Sequence, residues 1–158
     1  MERVLEINRV TRVVKGGKRM RFRALVVIGD EKGRIGCGLG KAGDVSTAVG
    51  KAVASARKVI ISIHKKGSTI PYPVTSHYKS ARVLLKPASA GTGIIAGGAM
   101  RVVLQLAGVK DVVGKALGSQ NKTNNALATI RALSLLRDRR DFLIRKASPE
   151  TRQAKPTE

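Results

Sequence analysis

Arg34–Gly40 reads RIGCGLG. On an extended chain, Ile35, Cys37 and Leu39 point one way and Gly36, Gly38 and Gly40 the other. A side-chain-free row on a strand lets something come close: a helix, a neighbouring backbone or a ligand. The next segment offers a helix. Val45, Ala48, Val49, Ala52, Val53, Ala56, Val59, Ile60 and Ile63 follow helical spacing, Asp44 or Ser46 can cap the start, and Lys65 and Lys66 precede a stopping Gly67. Lys51 and Lys58 fall on its more polar side.

Working backwards, GDEKG at Gly29–Gly33 is a hairpin signal, with Asp30 and Glu31 in their ordinary turn positions. Before it, Phe22, Ala24, Val26 and Ile28 share one face by alternation, and residues 4–13 form another β-rich run. Three antiparallel strands backed by one helix give a first small α+β unit over residues 1–67.

The first two strands are joined by VVKGGKRMRFR, Val13–Arg23, with five basic residues, no acidic one and a Gly-Gly pair. Two strands feeding Lys15-Gly16-Gly17-Lys18 project Lys15, Lys18, Arg19 and Arg21 as a finger. The glycines allow positive φ and can bring backbone N–H groups to a phosphate. The plainer reading is a solvated hairpin whose charges keep an edge from aggregating. Lysines alone would serve that purpose, and acids would be interspersed.

Composition agrees with the finger. The chain has 158 residues, with 31 Lys and Arg against 10 Asp and Glu, a formal net charge of +21. Self-repulsion of that size finds its usual outlet in a polyanion. There is no apolar run of about 18 residues, no signal-peptide core and no lipidation motif, so a membrane is not the expected partner. The single Cys37 excludes an intrachain disulfide framework and suits a reducing compartment. An apolar content of 42% belongs to a folded protein rather than a basic disordered chain. Nucleic acid is the expected partner. Aromatics make up only 3%, with no Trp, so stacking platforms for single strands are scarce. Contacts to phosphate and shape follow, which favours structured RNA.

GSTIPYPVTS reads as a connector, assigned to residues 68–76, and a second unit follows over 77–137. ARVLLKP is a strand ended by Pro87, ASAGTGIIAGG a glycine-rich loop, AMRVVLQLA a helix closed by Gly108, and VKDVVGKAL a short strand. TNNALATIRALSLLRD is a helix with Leu127, Ile130, Leu133 and Leu136 along one stripe. Residues 138–158 turn polar and basic, a frayed tail.

Two glycine motifs invite an enzyme reading. GCGLGKA lacks the spacing of a phosphate-binding loop, because Ile35 and Ala42 stand where Gly and Ser or Thr are needed. GTGIIA at Gly91–Ala96 fits a dinucleotide fingerprint more closely, with Asp111 about twenty residues on. Pro87 and the loop before Gly91 separate it from its strand, however, and no further βαβ units remain. His64 and His77 show no metal-ligand spacing, and Cys37 lies on a core face. No catalytic residue, cofactor, metal or small-molecule substrate is expected.

Two long blocks carry a resemblance. NRVTRVVKGGKRMRFRALVVIGDEKGRIGCGLGKAGDV and SARVLLKPASAGTGIIAGGAMRVVLQLAGVKDVVGKALGSQN, with the helices after each, resemble the bacterial-type small-subunit ribosomal protein S-five family over roughly residues 2–137. The resemblance implies an N-terminal domain like a double-stranded-RNA-binding domain without its first helix, then a C-terminal βαβ-containing α/β sandwich. It implies a cytoplasmic bacterial ribosome, or an organellar one, as the location. It also implies small-subunit rRNA, mRNA where it enters the subunit, and the S-four and S-eight proteins as partners, with roles in decoding accuracy and mRNA unwinding. The RNA-binding candidates are Arg9, Arg12, Lys15, Gly16, Gly17, Lys18, Arg19, Arg21, Arg23, Lys41, Lys51, Lys58, Lys65 and Lys66. Gly91, Thr92, Gly93 and Arg101 match the stretch the family places at the S-four boundary. The chain departs from the family's pattern at Gly43, often a charged position, at Gln105, often Glu, and at Lys122, often Pro. A free-standing RNA chaperone and a dinucleotide enzyme are the competing functions.

Overall fold

The structure is a computed structural model that describes residues 1–136. The tail expected over residues 138–158 lies outside them. Along the described chain run β1 (Glu2–Val14), β2 (Gly17–Gly29), β3 (Arg34–Ala42), α1 (Val45–Arg57), β4 (Ile61–Ser62), β5 (Val74–Tyr78), β6 (Ala81–Pro87), β7 (Ile94–Ile95), α2 (Gly98–Leu106), β8 (Val112–Ala116) and α3 (Lys122–Ser134). Two four-stranded sheets result, ordered β1-β2-β3-β4 and β5-β6-β8-β7. The α+β class holds. So does the βαβ element, since β7 pairs in parallel with β8 across the α2 connection.

The glycine row receives a helix. A Cβ on Gly38 would overlap the Ala52 carbonyl oxygen and the Ala56 amide, and one on Gly40 would overlap the Ala48 carbonyl oxygen. Ala48, Ala52 and Ala56 are fully buried there. Small side chains on both partners bring the backbones together. Asp44 caps α1, accepting from the Ser46 amide at 3.2 Å.

The helix is shorter than its periodicity predicts. It ends at Arg57, not near Ile63, and Ile61–Ser62 turns back to pair with Ile35 and Arg34 as a fourth strand. The run Val59-Ile60-Ile61 is β-branched, stiff at χ1 and better suited to a pleated edge. The open edge of β3 supplies unpaired backbone groups for it. Gly67, with φ +62°, sits in a turn closed by the Lys66–Thr69 bridge rather than at a helix stop.

Two further readings change. Part of the stretch read as connector is core: Ile70 is buried and β5 starts at Val74. On α3 the buried side is Asn125, Ala126, Ala128, Thr129, Ala132 and Leu133, while Leu127 and Ile130 are half-buried. Leu133 and Leu136 of the expected stripe are buried and Ile130 packs against the same core, while the small side chains beside them widen the buried side and let the helix lie close to its sheet.

The two sheets share one core. Val27 and Ile35 of the first join Val83 and Leu85 of the second, together with Leu104 of α2, Val109 of the loop after it and Leu133 of α3. The opposite face of the first sheet makes a smaller cluster with α1 through Ala24, Val26, Ala42, Ala48 and Ala52. The first sheet therefore has α1 on one face, and the second unit covers only part of the other.

Candidate nucleic-acid interface

The β1–β2 ladder runs to Val14↔Gly17, leaving Lys15 and Gly16 as the tip. Gly16 has φ +89°, a conformation that disfavours any side chain. From Thr11 to Arg21 every residue is exposed. The hairpin therefore extends past the body of the protein as expected.

Register sorts its charges onto two faces, because directly opposed residues share a face. Arg12 lies opposite Arg19, Val10 opposite Arg21, and Arg23 opposite both Asn8 and Lys41. Arg12, Arg19, Arg21, Arg23 and Lys41 thus stand together on the side away from α1, where the sheet outruns the cover of the second unit. Arg9 and Lys18 project from the other side with Thr11, Val13, Met20 and Phe22. None of these cations forms an ion pair among the described residues, whose two bridges are Arg34–Asp30 and Lys122–Glu6. Like charges directly opposed destabilise a ladder, and here the pairs Arg12–Arg19 and Arg23–Lys41 go uncompensated.

The remaining cations are dispersed. Lys51 is exposed on α1 and Lys58 is exposed at its C-cap, and this helix covers the opposite face of the sheet. Lys66 belongs to the turn with Thr69. Lys65 is committed elsewhere: its Nζ donates to the Gly108 carbonyl at 3.2 Å and the Glu31 carbonyl at 3.4 Å, across the junction of the two units. The odd-numbered run Arg19, Arg21, Arg23 was a visible signal for a one-sided arginine face. The addition of Arg12 and Lys41 to it required the register.

Phe22 is half-buried against the α1 cluster, which leaves no aromatic residue among the exposed hairpin positions. Cys37 packs against the shared core, and burial pushes its thiol up to about 11. Among the described residues no group of three or more His, Cys, Asp or Glu could hold a metal ion. No helix among them is long and apolar enough to cross a membrane.

The Gly91–Gly93 loop does not offer its amides to a ligand. Asp111 Oδ1 accepts from both the Gly91 and the Gly93 N–H at 3.0 Å. The acid that a dinucleotide motif would direct at a ribose instead occupies the groups a pyrophosphate would need. The Ser68 side chain, then the Gly93 amide, hold the Asp111 carboxyl below its usual range, with the Gly91 amide and Lys110 adding to the effect. Gly91 and Thr92 are exposed, and so is Arg101 in the first turns of α2.

With the hairpin and this loop in place, two family models divide the chain between them. Residues 1–64 match ribosomal protein S5, N-terminal domain, and residues 76–146 match ribosomal protein S5, C-terminal domain. Small ribosomal subunit protein uS5 of Campylobacter jejuni is 52% identical over 136 residues, 86% of this chain and 92% of that protein. The chain belongs to the ribosomal protein S5 family. The uS5 of Gloeobacter violaceus is 56% identical over 137 residues, 86% of this chain but 61% of the relative, so the chain spans less than two thirds of that longer protein. The arginine face lies within the stretch matched to the S5 N-terminal domain, and the Asp111-held loop within that matched to the C-terminal domain.

Proposed function

We propose that this chain is a structural constituent of the small ribosomal subunit that binds small-subunit rRNA through the arginine face of its β1–β2 hairpin. It is a ribosomal protein and not an enzyme. Its relatives are named small ribosomal subunit proteins, and the reading of the hairpin rests on one observation. Arg12, Arg19, Arg21, Arg23 and Lys41 share a sheet face, and none forms an ion pair among the described residues. Such a face is costly alone and stable against phosphates, where each guanidinium can hold two oxygens of one group. The absence of exposed aromatics on the hairpin favours recognition of backbone and shape over base stacking.

On this reading, Gly91, Thr92, Gly93 and Arg101 meet a neighbouring ribosomal protein, S-four, and S-eight and incoming mRNA are further partners. Decoding accuracy depends on that boundary, and mRNA unwinding is supported where mRNA enters the subunit. The location is the ribosome of a bacterial cytoplasm or an organelle. A free-standing RNA chaperone would carry similar charge, but its contacts would be spread over the surface rather than gathered on one register-matched face.

The test compares two sets of substitutions in the full chain. Ala at Arg12, Arg19, Arg21 and Lys41 should weaken binding to small-subunit rRNA. It should also flatten the plot of log K against log salt by about 0.9 for each lost duplex phosphate contact. Ala at Lys51 and Lys58 should leave the slope close to the parent's. Equal slopes from the two sets would end the assignment of the interface to the arginine face.

A further inference from the structure

Asp111 is an isolated acid: no Asp or Glu lies between it and Asp44. It is 6% exposed, so it is not part of a solvated surface. Its Oδ1 takes two backbone N–H groups from one loop, and its own segment is fastened by the Ser68 carbonyl, which accepts from Lys110 N at 2.8 Å and Asp111 N at 3.0 Å. The Val112 amide then bonds the Gly93 carbonyl at 3.1 Å, which holds the loop from its other side. Gly91 and Gly93 have φ +89° and +75°, and a Cβ on either would meet nothing within 4 Å. Space does not demand these glycines. Backbone shape does, and that shape turns the Gly91 and Gly93 amides inward, in the manner of an anion-binding nest, while the Thr92 amide between them bonds the Ser89 carbonyl. The anion here is supplied by the protein.

We propose that Asp111 is the positioning residue of the Gly91–Gly93 loop. Its carboxylate fills the place of a bound anion, and by drawing two amides inward it fixes the outer side of the loop, Thr92 included, in the shape a neighbouring protein meets. Thr92 is held from the other side by Ser89, whose hydroxyl lies 3.0 Å from its own. The proposal rests on the reading of this loop as a protein boundary in the small subunit.

Asp111→Ala and Asp111→Asn separate the possibilities. Asn keeps an oxygen acceptor where Ala keeps none. In the full chain, the amide NMR signals of Gly91 and Gly93 should move in Asp111→Ala and respond to millimolar inorganic phosphate. In the parent and in Asp111→Asn they should hold their places and ignore it. Small subunits carrying Asp111→Ala should misread at a frequency at least twofold different from the parent, with the protein incorporated normally, and Asp111→Asn should restore parental accuracy. Ser68→Ala, which removes the partner hydroxyl from outside the loop, should displace the same amides less and in the same direction. It serves if Asp111→Ala fails to fold. Amide signals unmoved by Asp111→Ala, or by Ser68→Ala where it stands in, would overturn the clamp. Displaced amides with parental accuracy would overturn its positioning role. Failure of the unaltered chain to enter small subunits would instead defeat the underlying reading, leaving the amide result to stand by itself.

Discussion

Cys37 shows how much a single position owes to its face. Alternation with Ile35 puts it toward the shared core, opposite Val27 in the β2–β3 ladder. Burial there disfavours the thiolate and moves the pKa up to about 11. At pH 8 only about one such thiol in a thousand is ionised, against roughly a quarter of an ordinary cysteine near 8.5. Iodoacetamide should therefore alkylate native Cys37 about two orders of magnitude more slowly than a small free thiol, and full reactivity should return in denaturant. Rates that match in the native protein and in denaturant would show the side chain to be open to solvent. The burial of this thiol was legible from the sequence, because an alternating strand declares its buried side. The role of Asp111 was not. Its distance from Gly91 fits a ribose-binding acid, and only the fold shows the carboxylate turned onto the loop's own amides.

At the scale of elements, the decisive contact is between β3 and α1. Gly38→Ala places a methyl group against the Ala52 carbonyl and the Ala56 amide, both backbone atoms that cannot swing aside. Overpacking of this kind costs about 1–3 kcal/mol, and the upper end is expected because the helix must move as a body. Gly43, with open space around it, is the matched control, and Gly43→Ala should leave the urea midpoint nearly unchanged. A Gly38→Ala midpoint equal to that of Gly43→Ala would mean that the two backbones are not in close contact. The glycine row was readable because an absent side chain is as periodic as a present one. The end of α1 was not, since Val59, Ile60 and Ile63 satisfy helical spacing as well as they satisfy a strand. What decides there is the vacant edge of β3, a partner that no local window contains. The same limit applied to the interface: the local sequence exposed the arginine run on β2, while Arg12 and Lys41 joined it through pairing.

For the whole molecule, the question is whether two matched domains behave as two. Their core is continuous, and the junction is tied by backbone as well as side chains. The Glu31 amide donates to the Leu106 carbonyl at 3.0 Å, and Lys65 bridges the carbonyls of Glu31 and Gly108. Two side-chain contacts between the units add to this tie. Gln105 accepts from Arg3 at 2.8 Å, and Lys122 reaches Glu6 at 3.5 Å, so both fasten the second unit to β1. These exposed contacts contribute little individually, and most of the coupling comes from shared apolar burial. Unfolding of the parent should then be a single transition. Both tyrosines, Tyr72 and Tyr78, lie beyond the first sheet, so tyrosine fluorescence follows the second unit while far-UV circular dichroism follows all elements. The two urea curves should coincide for the parent. Gly108→Ala forces a side chain into φ +75° and against the Glu31 carbonyl, and should both lower the fluorescence midpoint and part the two curves. Curves already separate in the parent would make the junction a contact between independent domains, and the arginine hairpin would have no rigid mount on the second unit.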